Sequence, residues 1–128
     1  MPEQVILVAE DEDQVRMLIA RLLEKRGFRV LQAVNGRDAL ALARQHIDDL
    51  TLVVTDMVMP EMGGAPLLRE LRKLRSALPV LCITGYTNEE VTGLYNLEGV
   101  SCIEKPFTPP ELLVRINEMI NEAANSSS

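Results

Sequence analysis

The chemistry legible in this sequence sits at the ends of four short apolar runs. Glu10-Asp11-Glu12-Asp13 follows Val5-Ile6-Leu7-Val8-Ala9, and Asp56 follows Leu52-Val53-Val54-Thr55. Thr84, with Gly85 after it, closes Val80-Leu81-Cys82-Ile83, and Lys105 stands in Glu104-Lys105-Pro106 behind Val100-Ser101-Cys102-Ile103. Each run reads as a buried strand, and in an open parallel sheet the residues just past the strand ends gather on one rim. Glu10, Asp11 and Asp56 would then be three carboxylates in one pocket. Like charges held that close raise one another's pKa or require a cation, and an oxygen-rich site with open positions suits Mg²⁺. Thr84 beside Gly85 sets a hydroxyl next to space for a tetrahedral group, and Lys105 adds a point charge for a phosphate oxygen.

Simpler readings account for other residues. Glu12 and Asp13 suit the positive end of the following helix as acidic caps. A single Asp after a strand says little. Asp56 is sharpened by the loop after it, Met57-Val58-Met59-Pro60 and then Gly63-Gly64, a tight turn able to aim a backbone carbonyl at a metal on Asp56. His46 is the only histidine, so a triad or a multi-histidine metal site is excluded in practice, and the residue reads as one near a helix end. Cys82 and Cys102 lie in apolar runs without a CxxC pair and read as buried, reduced thiols.

The elements that must position these groups follow from periodicity. Val15, Leu18, Ile19, Leu22 and Leu23 repeat with helical spacing, and Gly27 ends that helix. Phe28 to Ala33 predicts a second strand, Asn35-Gly36 a turn, and Ala39, Leu40, Leu42 and Ala43 a helix that fades near His46. Leu67, Leu68, Leu71 and Leu74 supply the apolar side of a third helix. A fourth, about Asn88 to Leu97, is weak, with Gly93 in its middle. Pro109-Pro110-Glu111 opens a fifth, carrying Leu112, Leu113, Ile116, Met119 and Ile120. Five βα units around a parallel sheet are expected over residues 1–124, with 125–128 a disordered tail.

Composition agrees with this and removes other classes. A chain of 128 residues, 47% hydrophobic and 25% charged, fits one domain with a sizeable core. Thirteen basic against nineteen acidic residues, net −6, argue against nucleic acid, and the absence of Trp argues against base-stacking platforms. No apolar run approaches the roughly 20 residues of a membrane span, and the start lacks a basic signal region. The expectation is a cytoplasmic protein with no direct membrane contact.

Taken together, Ile6-Leu7-Val8-Ala9-Glu10-Asp11-Glu12, Thr55-Asp56-Met57-Val58-Met59-Pro60, Ile83-Thr84-Gly85-Tyr86 and Glu104-Lys105-Pro106-Phe107 resemble the receiver domain of bacterial two-component response regulators, over residues 5 to about 122. The resemblance implies a flavodoxin-like, doubly wound (βα)5 α/β fold with strand order 2-1-3-4-5. It implies that Asp56 accepts a phosphoryl group from a phosphohistidine on a sensor histidine kinase or histidine phosphotransfer domain. Asp11, Asp56 and the Val58 carbonyl would hold Mg²⁺, with Glu10 acting through the metal's water. Lys105 would contact a phosphoryl oxygen, and Thr84 would swing towards it. A carboxylate attacks an anionic phosphoryl group poorly unless charge is neutralised, which is what a metal and a lysine supply. The chain is thus expected to be a phosphoacceptor module, not an enzyme. It would signal to a downstream protein through the face of the fourth helix, fifth strand and fifth helix, where exposed hydrophobics would also allow a homodimer.

Two departures stand out. Receivers commonly carry Tyr or Phe three residues before the lysine, and here that residue is Cys102, so the usual pairing of a Thr with an aromatic at that position is missing; Tyr86, two residues after Thr84, would be the alternative aromatic. Glu10 replaces the commoner Asp and keeps the charge. The wording Thr84-Gly85-Tyr86-Thr87 and Lys105-Pro106-Phe107-Thr108 is similar to receivers at the end of hybrid sensor kinases, with a free-standing regulator as the rival. A Mg²⁺-dependent aspartyl phosphatase wants a second acid where Val58 stands. Flavin binding wants a hydroxyl- and glycine-rich loop where the four acids 10–13 stand. Five βα units of about 25 residues use nearly all 128 positions, so any effect would pass through another protein.

Overall fold

The computed structural model describes residues 3–85, 93 and 97–126, and among these nine elements are laid out along the chain. They run β1 (Val5–Ala9), α1 (Asp13–Glu24), β2 (Arg29–Ala33), α2 (Gly36–His46), β3 (Leu50–Asp56), α3 (Gly64–Leu74), β4 (Val80–Thr84), β5 (Val100–Glu104) and α4 (Pro109–Ser126). The strands form one parallel sheet in the order β2-β1-β3-β4-β5. This is the flavodoxin-like order expected. The weak helix expected over 88–97 lies outside the described residues, apart from Gly93 and Leu97. Tyr86 lies outside them too.

Helices on both sides explain why the central strands are apolar throughout instead of alternating. Residues of one parity, including Leu7, Val53, Val80, Cys82 and Cys102, pack with α2 and α3 through Leu40, Leu67, Leu68 and Leu71. Those of the other parity, including Ile6, Val8, Leu52, Val54, Leu81 and Ile83, pack with α1 and α4 through Ile19, Leu23, Leu112 and Ile116. Both faces are therefore sealed by core, and β1, β3 and β4 are buried end to end or nearly so. The chain winds outward from β1 to β2 on one side and from β3 to β5 on the other. The loops after β1 and β3 consequently part at this switch point and leave a crevice.

Four local expectations are corrected. Asn35-Gly36 is not a free turn: Asn35 caps α2 by accepting the Asp38 N–H at 2.7 Å, and Gly36 is the first helical residue. Glu12 occupies the cap position of α1 but makes no side-chain capping bond, and Asp13 lies in the first turn. The third strand begins at Leu50 and includes Asp56 as its last residue. Asn125 and Ser126, expected in a disordered tail, continue α4.

Gly36 is required by packing. Its N–H donates to the Met62 carbonyl at 3.0 Å, drawing α2 against the loop that follows Asp56. A Cβ at this position would overlap the Met62 carbonyl oxygen, which is backbone and cannot step aside. Gly36→Ala is expected to cost about 2 kcal/mol or more, roughly 5–10 °C in Tm, measured by thermal unfolding.

Candidate functional site

The crevice collects the predicted residues from four strand ends. Glu10 follows β1, where its N–H donates to the Ala33 carbonyl at 3.0 Å and so extends the pairing of β1 with β2. Asp56 ends β3 and Thr84 ends β4. Thr84 lies opposite Glu104 in the β4–β5 register, and its carbonyl accepts the Lys105 N–H at 2.8 Å. That bond carries the pairing one residue beyond β5 and sends the Lys105 side chain back over the sheet. The Lys105–Pro106 peptide is cis.

One oxygen from each of Glu10, Asp11 and Asp56 lies within 4.8 Å of the other two. Glu10 is fully buried, Asp56 is 5% exposed and Asp11 is exposed. Lys105 Nζ reaches Asp56 Oδ2 at 3.3 Å and Glu10 Oε1 at 3.9 Å. The other Asp56 oxygen, Oδ1, accepts the Val58 N–H at 3.2 Å, and Glu10 Oε2 accepts the Glu12 N–H at 3.4 Å. Asp56 is thereby held at both oxygens, one by a backbone dipole and one by an ammonium. Thr84 is buried at the same rim, and the Val58 side chain, two residues after Asp56, is 69% exposed.

The electrostatics follow from this crowding. Burial, and after it the hydrogen bond and charge shared with Asp56, push the Glu10 carboxyl from 4.5 up to about 8. Below that range Glu10 keeps its proton. Once Glu10 ionises, its Oε1 is a buried oxygen with no hydrogen-bond donor. Burial alone would lower the Lys105 pKa, but the Asp56 and Glu10 carboxylates outweigh it and raise the net value. One lysine faces three acids, so charge is left uncompensated. An undonated buried oxygen within a cluster of hard carboxylate oxygens fits a hard divalent cation.

The other predicted positions separate from the site. His46 is the last residue of α2. Cys82 and Cys102 are register partners on β4 and β5, buried and unbridged. The hydrogen bond to the Cys102 side chain, and then burial, push the Cys82 thiol far up, which leaves it unreactive. The residue at the expected aromatic position therefore points into the core beside another thiol. One residue escaped the sequence reading. Arg16 contacts the rim from α1, and its only signal is its place three residues after Asp13, with which it pairs at 2.7 Å.

A family model described as response regulator receiver domain matches residues 6–117. The chain belongs to this receiver family. It is 35% identical over 118 residues to the sensor kinase CckA of Brucella abortus, covering 91% of this chain and 12% of that protein. It is 29% identical over 117 residues to the response regulator SaeR of Staphylococcus aureus, covering 90% of this chain and 50% of that one. Among solved structures, the receiver domain of the hybrid histidine kinase CckA superposes with a TM-score of 0.78 at 34% identity, covering 91% of this chain and 98% of that one. A CheY-like receiver from Methanospirillum hungatei superposes at 0.86 and 28% identity, covering 97% and 98%. This receiver domain spans about half or less of the curated relatives named here. Among its described residues, no helix is long and apolar enough to cross a membrane.

Proposed function

We propose that Asp56 is the phosphoacceptor of this receiver. The observation that carries the reading is the fixed Asp56 carboxylate, with Lys105 at 3.3 Å on one oxygen and the Val58 N–H at 3.2 Å on the other, beside two further acids. An Asp56 oxygen bonds to phosphorus as the P–N bond of a donor phosphohistidine breaks. The electron pair of that bond stays on the imidazole nitrogen, and Asp56 becomes an acyl phosphate. Lys105 meets the incoming oxygens as a point charge, and Thr84 contributes its hydroxyl from the rim.

Glu10, Asp11, Asp56 and the Val58 carbonyl are the groups that would hold Mg²⁺, whose bound charge offsets the repulsion between carboxylate and phosphoryl oxygens. The donor is a sensor histidine kinase or histidine phosphotransfer domain, a reading favoured by the similarity to the CckA receiver. The chain is a stoichiometric acceptor, acting in the cytoplasm and passing its state to another protein through the β5–α4 side.

Uptake of one phosphoryl group from a small acyl phosphate, dependent on Mg²⁺ and lost in EDTA, tests this function by intact mass. Lys105→Met is expected to slow the initial rate about a hundredfold to a thousandfold, as for loss of one preorganised electrostatic partner. A rate within twofold of wild type contradicts the role given to Lys105.

A further inference from the structure

The peptide joining Glu10 to Asp11 is held by a side chain that touches neither carboxylate. Arg16 Nη1 donates to the Glu10 carbonyl at 3.0 Å. The same guanidinium donates from Nε to Gln32 Oε1 on β2 at 3.2 Å, and from Nη2 to Asp13 Oδ1 at 2.7 Å. Its side chain is only 11% exposed, although it begins on a surface helix. With the Glu10 N–H already fixed to the Ala33 carbonyl at 3.0 Å, residue 10 is anchored on both its backbone groups. The bonds to Gln32 and Asp13 fix the guanidinium in place, and its Nη1 then holds the Glu10 carbonyl oxygen, the point of the chain between the two neighbouring carboxylates.

We propose that Arg16 is a positioning residue for the cation site: its fork locks the turn between β1 and α1 so that Glu10 and Asp11 converge on Asp56. The inference rests on the Mg²⁺ reading above and adds a residue to it. The sign of the effect separates positioning from simple charge. Removing a cation near a metal site, and releasing Asp13 from its partner, would both tighten Mg²⁺ binding by Coulomb attraction. Loss of positioning weakens it, and changes to groups that orient ligands typically cost about 10- to 100-fold in metal affinity.

The test is Mg²⁺ titration of the full chain, followed by calorimetry and by backbone amide shifts of residues 10–12 and 56–58. Arg16→Met is expected to raise the dissociation constant about tenfold. Arg16→Lys is expected to stay near Arg16→Met, because an ammonium restores the charge but cannot make the three-way fork. Gln32→Ala, which removes one of the three bonds, is expected to give about a threefold rise, and it carries the test should Arg16→Met not unfold cooperatively. An unchanged or smaller constant in Arg16→Met, or full recovery in Arg16→Lys, overturns the inference alone. Failure of the wild-type chain to bind Mg²⁺ overturns the functional reading and the inference together.

Discussion

Asp56→Ala, mixed with an acyl phosphate and Mg²⁺, keeps its unmodified mass while the wild-type chain gains one phosphoryl group. The expected loss is at least about a thousandfold, the scale seen when a nucleophile is removed from an otherwise intact site. Neither neighbouring acid can substitute. Glu10 is fully buried, and its Oε2 already accepts the Glu12 N–H. Asp11 is exposed, and neither of the ammonium contacts at the rim reaches it: Lys105 pairs with Asp56 and Glu10. Only Asp56 combines a clamped carboxylate with an ammonium at 3.3 Å.

In metal-free protein, Glu10→Gln is expected to stabilise the fold at alkaline pH and to do little in acid. The Glu10 carboxyl titrates at 4.5 in the unfolded chain and at about 8 in the folded one. Below the unfolded value both states hold the proton and the group contributes nothing. As pH rises from 4.5 towards about 8, the unfolded chain releases its proton while the folded chain retains it, so the folded state loses ground. Above the folded value both are ionised and the full cost stands, on the order of a few kcal/mol. Glutamine keeps the shape and removes this titration. Urea unfolding in EDTA at acid and alkaline pH measures it: the wild type should weaken with pH and the variant should not. Equal pH dependence in the two proteins contradicts the assignment. Adding Mg²⁺ should restore the wild type at high pH by mass action, and do less for the variant.

Much of the site was legible because strand ends are simple to read. A buried apolar run ending in an acid, a hydroxyl or a lysine places that group on the rim of a parallel sheet, whatever the helices between do. Glu10, Asp56, Thr84 and Lys105 followed from this alone, and the family resemblance added their roles. The failures are local and share a cause. Asn35-Gly36 carries turn chemistry, but the same Asn also accepts a helical N–H, and only the approach of Met62 decides between the two. Glu12 has the charge of a cap, yet its side chain makes no capping bond, and it is its backbone N–H that serves the site by donating to Glu10 Oε2. Arg16 showed only its spacing from Asp13, because its other partners, Gln32 on β2 and the Glu10 carbonyl, are brought to it by the fold and leave no pattern in the sequence.

The phosphoryl group is expected to land on Asp56. Borohydride trapping of the acyl phosphate in wild-type protein, followed by tandem mass spectrometry of the digest, measures this directly. A reduced side chain is expected at Asp56 and at no other acid. Reduction at Glu10 or Asp11, or a trapped product that persists in Asp56→Ala, would contradict it.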